Sequence, residues 1–283
     1  MTLSERNTFF KVGIAICAVC VLIILAASFI IIPHYQDQAL NRSIMEENTR
    51  RPENIIQIIT GSFMPNSYYA VHASLVLSIL FSLTGIILIH YYFERTSAPE
   101  ILYIAIFTIS FSFEVIRLVL PLHFIMNFPS FYIATASKLL LFARFFGIFS
   151  LFAASICAAG LEVQKVRNVL FTILIATLVI TMGIPIDALN WDTSLNMVNG
   201  FRSMFRMIEL VTLLTTTASF LIAAKNKSSR EYLYVAIGIT AALAGRNILL
   251  GTDNWAGSIL GILMLSFGSW FLCSKLHKIN LWL

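Results

Sequence analysis

The sequence predicts an all-α, polytopic integral membrane helix bundle of about eight transmembrane helices, and three observations predict it. Of the 283 residues, 58% are hydrophobic and only 12% charged, with a mean hydropathy of +0.85. A soluble domain carries roughly a quarter charged residues, so this chain belongs in lipid. Apolar runs long enough to cross a bilayer core recur along its length. Lys and Arg are also distributed unevenly between alternate connections, as they are in multi-pass proteins.

The whole chain, 1–283, reads as a single membrane domain with spans at 12–32, 69–93, 101–120, 132–159, 169–186, 201–224, 232–250 and 256–274. The first span is too long, and too apolar beyond Ala26-Ala27-Ser28, for a cleaved signal peptide, so it is expected to stay as an anchor. The second is preceded by the one sizeable polar segment, 33–68, with Asp37, Arg42, Glu46, Glu47, Arg50, Arg51 and Glu53. That segment has room for an amphipathic helix or a small cap, but not for a domain with its own core. The remaining linkers are short. Pro185 and Gly183 close the fifth span, the only hint of a discontinuous helix.

Counting bases in alternate connections gives orientation. With the N-terminus inside, the cytoplasmic pieces hold ten Lys and Arg, and the outer ones hold three, all within 33–68. Both termini are therefore expected in the cytoplasm, and the locale is a bacterial cytoplasmic (inner) membrane. Trp191 and Trp255 then fall at the outer interface, with Trp282 and Trp270 toward the inner one. The net charge of +5 reports this orientation and gives no reason to expect nucleic acid as a partner.

A repeat is visible within the spans. Glu100-Ile-Leu-Tyr-Ile-Ala-Ile106 and Glu231-Tyr-Leu-Tyr-Val-Ala-Ile237 share five of seven positions at an offset of 131. Arg144 and Arg206, and the Asn-Trp pairs at Asn190 and Asn254, recur at about half that distance. Three parallel two-helix hairpins of about 65 residues, spans 2–3, 4–5 and 6–7, account for these landmarks. Such a layout is similar to that of bacterial sensory membrane modules of the MHYT type. Their Met-His-Tyr signature is missing here, so no residue role is carried over.

Eight charges remain inside the spans: Glu114, Arg117, Lys138, Arg144, Arg202, Arg206, Glu209 and Arg246. Each costs about 2.5–3.5 kcal/mol at a helix centre, so such residues face a bundle interior or a wet cavity and pair there. All but Arg144, which approaches the midplane, fall in the outer half. Glu114/Arg117 and Arg206/Glu209 are i, i+3 pairs in opposite order; each pair can partly neutralise itself on its own helix face, and pairing across spans 3 and 6 would do so better. Lys138 and Arg202 are shallow enough to reach the interface. Arg144 and Arg246 are not, and Asn247 beside Arg246 adds a neutral polar group.

The candidate binding residues are accordingly Glu114, Arg117, Arg144, Arg206, Glu209, Arg246 and Asn247. Three readings share them: an ion network that sets helix register, an outward-facing cationic pocket for a polar or anionic small molecule, and a proton or ion relay. The leading functional expectation is a non-enzymatic, sensor- or receptor-like module working through a signalling partner protein, with the lipid bilayer as solvent. A transporter of an anionic or polar solute is the alternative. An intramembrane enzyme using Glu114 or Glu209 as general acid or base comes third, because no nucleophile is placed beside them.

Other motifs carry less. Glu46-Glu47 with Arg51 matches the EExxxR of CAAX-type intramembrane proteases, and His123 with Asn127 resembles their later histidine motif. That family holds these residues in membrane helices, whereas this glutamate pair lies in the polar 33–68 segment. No two of the five histidines are spaced i, i+3 or i+4, so no metal and no cofactor is expected. Cys17 and Cys20 form a CxxC inside an apolar run, where they read as small packing residues. Span 7 has no lysine for a retinal Schiff base, and Asn41-Arg-Ser43 is a sequon of low specificity.

Overall fold

The computed structural model describes residues 3–34, 67–94, 96, 98–126, 128–160, 166–191, 194–199, 202–227 and 229–281. Eight helices account for nearly all of them: α1 (Leu3–His34), α2 (Tyr68–Phe93), α3 (Pro99–Met126), α4 (Ser130–Ala159), α5 (Val166–Gly183), α6 (Arg202–Asn226), α7 (Arg230–Gly251) and α8 (Trp255–Leu281). All eight are long and apolar enough to cross a membrane. The polar segment expected to hold an amphipathic helix, with its EExxxR match and sequon, lies outside the described residues.

Helix boundaries differ from expectation where helix and bilayer do not end together. α1 starts at Leu3 rather than 12, and its 32 residues rise about 48 Å, well beyond a hydrocarbon core of ~30 Å. α8 likewise continues past 274 to Leu281. α5 stops at Gly183 rather than 186, because Pro185 disfavours helical backbone at Ile184. The chain then forms a short antiparallel ribbon, β1 (Ile186–Trp191) with β2 (Met197–Asn199), an addition to the all-helical expectation. Its register runs Ile186↔Asn199 and Asp187↔Val198, then shifts before Trp191↔Met197.

α3 sits at the centre, against α1, α2 and α4, and 89% of its most apolar window is buried. Ile101 through Ser110 are buried without a break, so this stretch of the helix has no lipid face. α5 and α6 are peripheral, with windows only 17% and 22% buried. α3 begins with Pro99 at its first turn, where a missing N–H costs nothing. Its continuation beyond the expected end at 120 carries it through Pro121, with consequences described below.

Close backbone approach locks α7 to α8. A Cβ at Gly245 would overlap the Leu265 nitrogen and the Met264 carbonyl carbon, and one at Gly261 would sit 2.6 Å from the Leu249 nitrogen. Glycine is required at both for the helices to meet. Arg6 ties the N-terminal helix down: its buried guanidinium donates to the backbone oxygens of Phe93, Glu94 and Thr96, where α2 has run out of partners. At the other end of the bundle, the Ser67 N–H donates to the Asp253 carbonyl (3.0 Å), and the Asn254 side chain caps α8 at the Gly257 N–H (2.8 Å). The termini and the α2–α3 turn thus share one end, and the ribbon belongs to the opposite half.

Candidate functional site

The middle of α3 is not α-helical. Residues Phe111–Leu118 form a 3₁₀ segment of eight residues, where a regular helix was expected throughout. Runs of this length are uncommon, and they mark strain or a hinge. Pro121 supplies part of the reason, since it has no N–H to give the Arg117 carbonyl one turn back. The tighter winding has an electrostatic result. At three residues per turn, side chains at i and i+3 eclipse, so Glu114 and Arg117 are stacked with Oε2 and Nη1 3.6 Å apart.

Arg144, halfway along α4, completes the group. Its Nε donates to Glu114 Oε1 (2.7 Å) and its Nη2 to Glu114 Oε2 (2.6 Å), a fork on both oxygens of one carboxylate. Glu114 and Arg117 are buried, while the Arg144 side chain stays 18% exposed. The remaining Nη2 hydrogen is given to Asn196 Oδ1 at 2.9 Å. Asn196 lies at the tip of the ribbon, between β1 and β2. Ser194 and Leu195 beside it are buried, and Leu195 packs in a cluster with Leu118, Leu120 and Ile133. Leu195 holds φ at +58°, the left-handed region that a branched side chain avoids.

A second group lies between α6 and α7. Arg246, almost wholly buried, donates from Nη1 to Asn247 Oδ1 (3.1 Å) and to Glu209 Oε1 at a long 3.5 Å. Its Nη2 is buried with no hydrogen bond among the described residues. Six of the seven sequence-predicted residues thus fall into two groups, Glu114, Arg117 and Arg144 between α3 and α4, and Glu209, Arg246 and Asn247 between α6 and α7. Glu114 and Arg117 pair within α3 as their spacing allows, but the links between helices run from α3 to α4 and from α6 to α7 rather than from α3 to α6. Arg144 and Arg246, the bases least able to reach an interface, make the links between helices, and Arg117 shares Glu114 with Arg144. Arg206 is exposed on α6, outside the buried layer. Lys138 reaches the last turn of α5, with Nζ 3.4 Å from the Met182 carbonyl oxygen. The Arg202 side chain lies outside the described residues.

A cleft opens beside Arg144, between α3 and α4 and under the ribbon tip. Arg117, Arg144, Ser137, Leu141, Leu195 and Asn196 line it, and its enclosed part measures about 20 Å³. That is room for one water. No family model, curated protein or solved structure matches this chain. The site is therefore read from its own chemistry. It offers guanidinium donors at the end of an apolar cleft, an arrangement suited to an anionic head on an apolar body. Each oxygen of Glu114 accepts a hydrogen bond from Arg144. Among the described residues no group of three or more His, Cys, Asp or Glu is placed to hold a metal. Cys17 is buried, with Sγ 3.2 Å from Ser82 Oγ.

Asn196, Leu195 and Ser137 are site residues that sequence reasoning missed. All three are uncharged, Leu195 and Asn196 in the ribbon loop and Ser137 within α4, and the folding-in of the ribbon tip brings them together.

Proposed function

We propose that this chain is a ligand-binding membrane module, sensor- or receptor-like, whose outer half takes a small anionic molecule on Arg144 and Arg117. The observation that carries this reading is the cleft itself, which both guanidiniums line and from which Arg144 remains partly accessible. The layer of Arg246, Glu209 and Asn247 behind it sets the local field and links α6 and α7 to the binding event. The ligand approaches from outside a bacterial cytoplasmic membrane, with both termini in the cytoplasm and a partner protein reading the response. Shared placement of the termini and the α2–α3 turn at one end of the bundle supports that topology. Glu100 and Glu231, each in the first turn of its helix, support the hairpin repeat.

One observation favours a second reading. The 3₁₀ segment of α3 is a discontinuity at the charged layer, the kind of break that transporters use to move a helix half around a bound solute. Reconstitution separates the two. The purified protein is placed in proteoliposomes, flux of radiolabelled acetate, butyrate, phosphate and sulfate is followed, and binding of the same anions is measured by thermal shift in nanodiscs. Binding without flux is expected, lost in Arg144→Gln. Flux dependent on Arg144 would make the protein a transporter, and no binding of any of these anions would overturn the pocket.

A further inference from the structure

The ribbon tip occupies the cleft in a particular way. Arg144 Nη2 has two hydrogens; one goes to Glu114, and the other to the Asn196 amide oxygen. The residue before it, Leu195, places an aliphatic side chain against the leucines and isoleucines that wall the same cleft. An amide oxygen on a guanidinium, joined to a short branched hydrocarbon on an apolar wall, has the outline of a short-chain carboxylate. We propose that Leu195-Asn196 is a built-in surrogate ligand. It holds the site until a small aliphatic monocarboxylate displaces it and lifts the ribbon tip.

Three further observations support the exchange. A carboxylate oxygen makes a stronger bond to the guanidinium than a neutral amide oxygen does, so the incoming ligand gains where the surrogate leaves. Leu195 sits at positive φ, so withdrawal of the tip relieves an unfavourable backbone. The enclosed part of the cleft holds about one water, and Asn196 already occupies the Arg144 hydrogen, so a ligand taking that hydrogen displaces the tip. Walls such as Leu140, Leu141 and Ile133 argue for a hydrocarbon tail rather than a bare inorganic oxyanion. The inference rests on the pocket reading above, and it adds the ligand class and the moving part that reports occupancy.

The test uses the full chain in nanodiscs with butyrate as probe, 1-butanol and phosphate as comparisons, and affinity read from thermal shift. Removing the competitor in Asn196→Ala is expected to tighten butyrate binding about tenfold. Asn196→Asp, a charged surrogate, is expected to raise the Tm without ligand and to weaken butyrate binding. Should the alanine variant fail to fold, the aspartate variant against wild type still decides the question. In a Ser194→Cys variant the new thiol is buried, so a membrane-impermeant maleimide should label it several-fold faster with butyrate, mass spectrometry locating the adduct. Equal butyrate affinity in wild type and both Asn196 variants, or labelling indifferent to butyrate, would overturn the surrogate and leave the pocket standing. A shift with phosphate but not butyrate would overturn the ligand class. No shift with any probe in any variant would remove the pocket, and the surrogate with it.

Discussion

At the scale of single residues, Glu114 and Arg246 are both buried charges with very different attachments. Glu114 answers two guanidiniums, one through a two-point fork; Arg246 holds a half-exposed carboxylate at the limit of hydrogen-bond distance. Losing Glu114 strands two buried cations, whereas losing Arg246 leaves Glu209 able to meet water. Glu114→Gln should therefore destabilise the bundle by about 3–5 kcal/mol, the cost of orphaning a buried partner. Arg246→Met, close in length and apolar, should change stability by less than about 1 kcal/mol, the worth of a partly exposed pair. Denaturant titration in bicelles compares the two directly. The double variant Glu114→Gln/Arg144→Met should recover part of the loss, because removing both partners of a buried pair is milder than removing one. Equal costs for Glu114→Gln and Arg246→Met would show that the fork does not dominate the layer.

At the scale of elements, the α7–α8 crossing and the Arg6 cap are separable attachments. Gly245→Ala pushes a methyl into the backbone of α8, which cannot turn aside as a side chain would. A loss at the upper end of about 1–3 kcal/mol is expected, read as a lowered Tm. Arg6→Gln leaves the α2 carbonyls without their cation and frees the start of α1. Hydrogen exchange should rise at the first turns of α1 and the last turn of α2, while α7 and α8 stay protected. The 3₁₀ stretch of α3 was hidden from sequence reading because Phe111–Leu118 has ordinary helical composition. Pro121 was visible, but a proline alone does not say whether a helix ends, kinks or tightens. Here burial on all sides kept α3 continuous and left the backbone to absorb the proline by winding more closely.

At the scale of the molecule, cysteine accessibility at residues near Leu3 and Lys278, compared with Ser67, should place both termini on the side opposite the α1–α2 connection. Labelling of all three from one side would refute the topology. Apolar runs were legible because a membrane span is a matter of length and hydropathy, and all eight recur as helices. So were the charged residues, since a cost of kcal/mol per group leaves little room for accident. Their pairing was not legible: spacing along one helix says which side chains share a face, but not which neighbour that face meets. Glu114 found Arg144 rather than Arg206 because α3 packs on α4. Asn196 was beyond sequence reading altogether, an ordinary loop amide until the ribbon folded inward.

The eclipsed winding of α3 also bears on how the chain enters its membrane. Glu114 and Arg117 leave the ribosome about thirty residues before Arg144, so α3 meets lipid while its eventual partner in α4 is still being made. An ordinary helix turn also brings i and i+3 to one face; the tighter turn brings them into eclipse. Stacked one above the other, they form a self-contained dipole, far cheaper to insert than two separate ions. A pair that neutralises itself within one segment asks less of the helices made after it, and Arg144 then takes the same carboxylate by its fork.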